Sequence, residues 1–234
     1  MRVSDLEAGY GRKQVIHGVS LDVGAGEVVA VLGHNGAGKS TLMSAIFGLT
    51  PPTKGTVVFD GADITGRNPS ANIARGLGYG VQGAEVFKSL TVVENLVVAG
   101  YSLRDQKRIA SSIEEMYELF PSLGARRHAR AGSLSGGERQ MLALGMLLVA
   151  SPRLIILDEP SGGLAPIVVE AVYNAIADIP AKLNASVLLV EQDADHALRI
   201  SNRVFVLANG RIKFEGLARD IPNAAALGDL LLGY

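Results

Sequence analysis

Hydrophobic and polar residues follow different patterns in successive parts of this chain. Residues 3–7 and 15–23 alternate apolar and polar positions, which predicts half-exposed antiparallel strands. Residues 27–32 are almost wholly apolar and predict a buried strand, and a further strand is predicted at residues 56–60. Strands are therefore expected to dominate the first quarter of the chain.

Helical periodicity replaces this pattern in the middle of the chain. Over residues 89–131, apolar side chains recur at helical spacing, at Ile109, Ile113, Met116, Leu119 and Phe120. From residue 134 onward, helical segments alternate with fully apolar runs at 154–157 and 187–190. Such runs between helices predict a parallel sheet covered on both faces. Near the end, Asn209-Gly210 between two apolar segments predicts a β-hairpin.

A phosphate-binding loop is predicted directly after the first buried strand. It has the pattern GxxxxGK[ST], formed by Gly33-His34-Asn35-Gly36-Ala37-Gly38-Lys39-Ser40, and a helix is predicted at residues 41–49. Glycines let backbone N–H groups turn towards phosphate oxygens, and the helix N-terminus attracts the same anion. Lys39 is expected to reach the β- and γ-phosphates, and the Ser40 hydroxyl to bind Mg²⁺. The alternative is an ordinary glycine-rich turn, but the strand–loop–helix context favours binding of a nucleoside triphosphate.

Composition narrows the class of protein further. The chain has 234 residues and a formal net charge of −1, which argues against nucleic acid as a partner. It has no cysteine, so disulfides and thiol catalysis are excluded. The longest apolar run, residues 141–150, is too short for a membrane span, which needs about 20 residues. The mean hydropathy of +0.26 is high for a chain without a span and is consistent with an apolar docking surface.

Two carboxylates end the predicted strand at residues 154–157. A buried parallel strand delivers Asp158 and Glu159 to the carboxyl edge of the sheet, where the phosphate loop is also expected. Asp158 is then placed to hold Mg²⁺, and Glu159 to polarise an attacking water. Apolar strands often end in acidic residues, so the assignment depends on the phosphate loop upstream.

The segment Leu134-Ser135-Gly136-Gly137-Glu138-Arg139-Gln140 carries a second signal. Ser135 and Glu138 are spaced as a helix capping box. Two glycines in the first turn cost about 1 kcal/mol each relative to alanine. This cost suggests that the backbone at Gly136 and Gly137 must approach another group closely.

This segment resembles the signature sequence of the ATP-binding subunits of ABC transporters, and the resemblance covers essentially the whole chain in the family's order. It implies an α/β fold in which a P-loop NTPase core with a mostly parallel sheet carries an N-terminal antiparallel β subdomain and a helical subdomain. We predict a single domain over residues 1–234. Residues 1–88 and 132–234 are expected to form the nucleotide-binding core with the β subdomain, and residues 89–131 the helical subdomain.

The resemblance also implies a site for ATP and Mg²⁺ with assigned roles. The catalytic residues are Glu159, Lys39 and Gln192, and the metal is held by Ser40, Gln82 and Asp158. Tyr10 matches the aromatic residue that stacks on adenine, although it could be a surface turn residue, and Gln82 could be a solvated loop residue. The nucleotide contacts implied are Tyr10, Gly33, His34, Asn35, Gly36, Ala37, Gly38, Lys39, Ser40, Thr41, Gln82, Ser135, Gly136 and Gly137.

Two departures from the common family pattern point to one branch. Gln192 replaces the usual histidine in Val190-Glu191-Gln192-Asp193, and residues 161–166 read SGGLAP where SALD is usual. Both features resemble the ATPases of branched-chain amino-acid importers. ATPases of urea or short-chain amide importers share the pattern. Two further alternatives are a soluble ABC ATPase that acts in DNA repair or translation and a subunit that does not hydrolyse ATP.

The resemblance implies a set of partners. They are membrane permease subunits bound through the helical subdomain, a second ABC ATPase of the same or a different chain, and indirectly a solute-binding protein. In the implied head-to-tail dimer, Ser135, Gly136 and Gly137 complete the partner's ATP site. The expected location is the cytoplasmic face of the cell membrane, and the opening of the chain gives no indication of a signal peptide.

Overall fold

The computed structural model describes residues 1–80, 83, 85–103, 105–221, 223 and 225. The strands are β1 (Arg2–Tyr10), β2 (Lys13–Asp22), β3 (Val28–Leu32), β4 (Lys54–Phe59), β5 (Ala62–Asp63), β6 (Leu77–Gly80), β7 (Leu154–Asp158), β8 (Ser186–Glu191), β9 (Arg203–Ala208) and β10 (Arg211–Leu217). The α-helices are α1 (Lys39–Phe47), α2 (Pro69–Ala74), α3 (Val92–Gly100), α4 (Gln106–Leu119), α5 (Pro121–Ala125), α6 (Gly136–Val149), α7 (Pro166–Leu183) and α8 (Ala194–Ile200).

Four of the early strands form an antiparallel sheet in the order β2-β1-β4-β5. Their alternating sequence puts one face on the core, so that Val3, Leu6 and Ala8 of β1 are buried while their neighbours are more exposed. The predicted antiparallel β subdomain at the N-terminus is therefore confirmed.

The second sheet has six strands in the order β10-β9-β3-β8-β7-β6, parallel except for β10. Every residue of β3, β7 and β8 is buried, as the apolar runs at residues 28–32, 154–157 and 187–190 predict. Three polar residues at the ends of β7 and β8 are buried with them, namely Asp158, Ser186 and Glu191. β9 and β10 form the predicted hairpin, and Asn209 (φ 50°) and Gly210 (φ 71°) take the left-handed conformation that a two-residue turn requires. The mostly parallel α/β sheet is confirmed.

The segment 89–131 is largely helical and is joined to the rest of the chain at a narrow point. The N–H of Ala131 donates to the carbonyl of Leu90 at 2.8 Å, and that of Gly132 to Lys88 at 2.9 Å. Ile113, Met116 and Leu119 form the buried side of α4. The closeness of its two ends agrees with a separate helical subdomain, whose bounds at residues 89 and 131 remain a prediction.

Some element bounds differ from the sequence prediction. The helix after the phosphate loop begins at Lys39 rather than residue 41 and ends before Gly48, whose φ of 93° closes it with a left-handed cap. The pattern analysis did not find α2 or β6. In β6, Gly78 and Gly80 stand where a Cβ would press on Leu147 of α6 at 2.9 and 3.3 Å, so this strand lacks side chains that would mark it in the sequence.

Candidate functional site

The phosphate loop lies between β3 and α1, at the carboxyl edge of the parallel sheet. Gly36 (φ 83°) and Gly38 (φ 108°) have backbone conformations that side chains disfavour. Gly33 is required for a different reason, because a Cβ there would overlap the carbonyl oxygen of Leu207. The loop is therefore held in a shape that only glycine permits, with the N-terminus of α1 at its end.

Lys39 is buried, with 5% of its side chain exposed. Its Nζ donates to the carbonyl oxygens of Gly33 at 2.8 Å and His34 at 3.3 Å, and lies 3.2 Å from Oε1 of Glu159. The ammonium group is thus aimed into the loop and paired with the second carboxylate. His34 itself is exposed.

Asp158 ends β7 and is buried in the sheet edge. The Tyr79 hydroxyl donates to its Oδ2 at 3.4 Å. Burial raises the pKa of Asp158 above its ordinary value, which a hydrogen bond from Ser40 partly offsets. Oδ1 is also buried and has no hydrogen-bond partner among the described residues. Among the described residues, one carboxylate oxygen of Asp158 therefore keeps an unused capacity to accept a hydrogen bond or to bind a ligand.

Glu159 follows β7 in a left-handed conformation, with φ of 48°. This backbone is rare for a residue other than glycine and is typical of functional sites held by their surroundings. The N–H of Glu159 donates to the carbonyl of Val190 at 2.9 Å, and Nε2 of Gln192 donates to Glu159 Oε1 at 2.8 Å. The strand ends of β7 and β8 therefore fix both the backbone and the side chain of Glu159.

Lys39, Ser40 and Glu159 face a cleft of about 640 Å³, a size typical of small-ligand sites, whereas the buried Asp158 is not among its lining residues. Its lining residues are Tyr10, Lys13, Val15, Asn35, Gly36, Gly38, Lys39, Ser40, Thr41, Glu159 and Gln192. Tyr10 is half-exposed at its edge, and its hydroxyl lies 3.5 Å from Thr41 Oγ1. Lys13 and Val15 were not predicted as residues of the cleft. The signal was present, because a tight turn between the two alternating strands brings them beside Tyr10.

The predicted signature residues do not line this cleft. Ser135 caps α6, and the capping box with Glu138 is present as predicted. Arg126 Nη1 contacts both oxygens of Glu138 at 2.9 Å and so reinforces the cap. Gly136 is open, with nothing within 4 Å of a Cβ placed there, whereas a Cβ on Gly137 would overlap Val168 of α7. Gln82, the remaining predicted site residue, lies outside the described residues.

Comparison with known proteins identifies the family. The model of the family described as ABC transporter matches residues 16–162. The chain belongs to the ABC transporter family. Within that family it is an ABC transporter ATPase, so it binds ATP and acts with permease components of transporter complexes. In the described part of this ABC ATPase, no helix is long and apolar enough to cross a membrane.

Similar proteins match the ABC ATPase over nearly its whole length. The high-affinity branched-chain amino acid transport ATP-binding protein BraG of Pseudomonas aeruginosa is 38% identical over 224 residues, covering 96% of this chain and 95% of BraG. The probable branched-chain amino acid transport ATP-binding protein LivF of Archaeoglobus fulgidus is 37% identical, covering 100% and 98%. Among solved structures, the ADP conformation of an ATP-binding cassette of an ABC transporter has a TM-score of 0.87 and 26% identity, covering 100% and 98%.

Proposed function

We propose that this ABC ATPase powers the import of branched-chain amino acids. The observation that carries the proposal is its similarity to BraG and LivF, at 38% and 37% identity over nearly the full length of both chains. Gln192 after Glu191, and the SGGLAP sequence after Glu159, support the same branch from the residues themselves. The chain would then work at the cytoplasmic face of the membrane, bound to permease subunits through residues 89–131.

The cleft supports ATP hydrolysis by positioning and charge neutralisation, which is what phosphoryl transfer requires. The phosphate loop and the N-terminus of α1 would bind the phosphates, and Tyr10 would stack on adenine. Lys39 lies where it can offset charge on the γ-phosphate. Glu159 would orient the attacking water, with its Oε1 held by Lys39 at 3.2 Å and Gln192 at 2.8 Å. Gln192 would also donate to the γ-phosphate, although it cannot carry a proton as a histidine can.

The residues beside the phosphate loop suit Mg²⁺. Ser40 and Asp158 provide the oxygen ligands that this ion prefers, and the buried, unpartnered Oδ1 of Asp158 is the atom best placed for it. When bound, Mg²⁺ neutralises charge on the β- and γ-phosphates. Gln82 is proposed as a further ligand of the ion or its water on the resemblance alone.

A second ATPase, either another copy or a different chain, would complete each site. Ser135, Gly136 and Gly137 lie away from the cleft of their own chain, at the positive N-terminus of α6. In a head-to-tail pair they would face the γ-phosphate bound by the partner. The openness of Gly136 supports this arrangement, because no described residue of its own chain occupies the space beside it.

Solute uptake tests the proposal. The gene is deleted in the source organism and restored as wild type or as the Lys39→Ala variant, which should bind ATP poorly. We expect uptake of radiolabelled leucine, isoleucine and valine with the wild type and its loss with Lys39→Ala. Restored uptake of urea or acetamide alone would overturn the assigned solute, but the chain would still be the ATPase of an importer.

The partners can be identified in the same strains. The chain is purified in mild detergent, and proteins that accompany it are identified by mass spectrometry. Polytopic permease subunits and a second ATPase are expected. Recovery only from the soluble fraction, with ribosomal proteins or nucleic acid, would overturn the transport proposal.

A further inference from the structure

A third carboxylate, Glu191, lies at the end of β8 next to Gln192 and has no role assigned so far. Its side chain is almost fully buried, at 3% exposure. In the parallel sheet, Glu191 pairs with Leu32, the last residue before the phosphate loop, and the preceding Val190 pairs with Asp158. It therefore lies between the two strand ends that carry the site.

Both oxygens of Glu191 accept hydrogen bonds from segments that flank Glu159. Oε1 accepts from the Ser161 hydroxyl at 2.8 Å and more weakly from the Ser161 N–H at 3.4 Å. Oε2 accepts from the N–H of Gln192 at 3.1 Å. Since Gln192 Nε2 donates to Glu159 Oε1, the contacts close a ring through Glu159, Pro160, Ser161, Glu191 and Gln192.

The direction of these hydrogen bonds follows from the chemistry of the carboxylate. An ionised carboxylate only accepts, so the Ser161 hydroxyl must donate to Glu191 and can itself accept. The hydroxyl of the fully buried Tyr173 donates to Ser161 Oγ at 3.2 Å. Burial, and then the charge of Glu191, raise the pKa of Tyr173, which keeps this hydroxyl a donor. The hydrogen bonds therefore run in one fixed direction, from the Tyr173 hydroxyl to the Ser161 hydroxyl and from there to the Glu191 carboxylate.

A third buried carboxylate near Asp158 and Glu159 is costly, because like charges are desolvated together. A neutral side chain could fill the volume without this cost. A fully satisfied charge in a buried network does, however, rigidify the backbone that it joins. Here it joins the loop after Glu159, which has a strained left-handed backbone, to Gln192, which holds the Glu159 side chain.

We infer that Glu191 is a positioning residue for ATP hydrolysis. Its carboxylate fixes Ser161 and the backbone of Gln192 relative to each other, and thereby keeps Glu159 and the Gln192 amide aligned on the γ-phosphate. This inference rests on the proposed roles of Glu159 and Gln192.

The test uses Glu191→Gln in the full chain with MgATP. The variant keeps the volume, but its amide must place an N–H₂ group against one of the donors on Ser161 or Gln192. Misalignment of a catalytic group by a fraction of an ångström should lower kcat about 10-fold, within the range of up to ~10² known for misplaced groups. The KM for ATP and the Kd of a fluorescent ATP analogue should change less than about 2-fold, since the phosphate loop is untouched.

Glu27→Gln is the matched control. Glu27 is also poorly exposed, at 16%, and its Oε2 accepts from the Gly24 N–H at 2.7 Å, but it lies at the opposite edge of the sheet, before β3. Its kcat should equal that of the wild type. Faster amide hydrogen exchange at residues 159–166 in Glu191→Gln, absent from Glu27→Gln, provides a readout other than turnover.

Ser161→Ala removes the hydroxyl that donates to Glu191 and so tests the same hydrogen bond. It is a smaller change and can replace Glu191→Gln if that variant folds poorly. It should share the loss of kcat, and the double variant should be no more than about 2-fold worse than Glu191→Gln alone, because both remove one interaction. Fully multiplicative losses, unchanged kcat in Glu191→Gln, or an equal loss in Glu27→Gln would overturn the inference. Normal turnover in Glu159→Gln would instead overturn the proposed site.

Discussion

Glu159 is the side chain on which the proposed chemistry depends most directly. Its Oε1 lies 3.2 Å from Lys39 Nζ and 2.8 Å from Gln192 Nε2, within the cleft that contains the phosphate loop. Glu159→Gln keeps the shape of the side chain but removes its ability to polarise a water. We expect at least a ~10²-fold lower rate of ATP hydrolysis with ATP binding retained. Steady-state turnover and equilibrium binding of a fluorescent ATP analogue measure the two quantities.

Lys39→Ala provides the contrast, because the buried ammonium group is proposed to bind phosphate rather than to orient water. This variant should lose affinity as well as turnover. Unchanged ATP affinity in Lys39→Ala would contradict the phosphate-loop assignment, whereas near-normal turnover in Glu159→Gln would contradict only the role of the carboxylate.

His196 of α8 makes a pH-dependent contribution to stability. Its Nδ1 lies 2.7 Å from Asp193 Oδ2 and its Nε2 lies 3.0 Å from Glu170 Oε1, and both nitrogens can donate only when the ring is protonated. Burial alone would lower the pKa of His196, but the hydrogen bonds to Asp193 and Glu170 outweigh it and raise the pKa above 6.5. The folded state therefore favours the charged ring.

Because the folded pKa is the higher one, this stabilisation is complete below the unfolded value of 6.5 and is lost as pH rises through the folded pKa. The melting temperature of His196→Gln should lie below that of the wild type near pH 6 and approach it near pH 9. The difference should be small, since both carboxylates are half-exposed. His128→Gln serves as control, and a gap that widens with rising pH would refute the assignment.

At the scale of the element, the two glycines at the N-terminus of α6 are present for different reasons. The sequence predicts a single cause for Gly136 and Gly137, namely close approach of the backbone to another group. In the structure, Gly137 is required within its own chain because a Cβ would overlap Val168, whereas Gly136 faces open space. Of the two glycines, only Gly136 therefore still needs an approaching partner to explain why it has no side chain.

Alanine at each position should have opposite effects. Gly137→Ala should destabilise the fold by about 1–3 kcal/mol through overpacking against α7. Gly136→Ala should leave the melting temperature unchanged or raise it slightly, since alanine favours the helix, but it should lower ATP turnover about 10-fold or more, because the new methyl group would displace the partner's γ-phosphate. Thermal unfolding and turnover of the two variants check both effects. Wild-type turnover in Gly136→Ala would argue against a site shared between two chains.

Elements with a strong local signal were predictable from the sequence. The buried strands β3, β7 and β8 contain apolar runs of four or five residues, the capping box of α6 has the expected spacing, and Asn209-Gly210 marks the β9–β10 hairpin. β6 was not predictable, because Gly78 and Gly80 are there to accommodate Leu147, a residue distant in sequence.

The same distinction applies to the site. The phosphate loop and the carboxylates Asp158 and Glu159 are contiguous motifs and could be found by spacing. The contacts between Glu191 and Ser161 and between Tyr79 and Asp158 join residues 30 and 79 positions apart, so no local pattern reports them. They follow only from the register in which β6, β7 and β8 pair.

At the scale of the whole molecule, Arg203 joins the antiparallel sheet to the parallel one. Its guanidinium contacts both oxygens of Asp22, at the end of β2, at 3.0 and 3.1 Å. It also contacts Glu215 of β10 at 2.5 Å and Glu27 at 3.5 Å, and it lies over the ring of Phe205. With only 20% of its side chain exposed, Arg203 is better shielded from solvent than an ordinary surface cation.

We therefore expect Arg203→Met to lower the free energy of unfolding by about 1–3 kcal/mol, as is typical for hydrogen bonds to charged groups. Lys54→Met is the control, because the Lys54–Glu7 pair at 3.4 Å has a 72% exposed cation and should contribute less than about 1 kcal/mol. Urea denaturation of both variants measures the difference.

The pKa of Asp22 is lowered chiefly by its hydrogen bond from Arg203, so this stabilisation is present above the unfolded value of 3.8 and is lost as pH falls through the lower folded pKa. The gap between wild type and Arg203→Met should therefore shrink in acid. A gap equal to that of Lys54→Met at neutral pH would mean that Arg203 holds the two sheets together no more strongly than an exposed ion pair would.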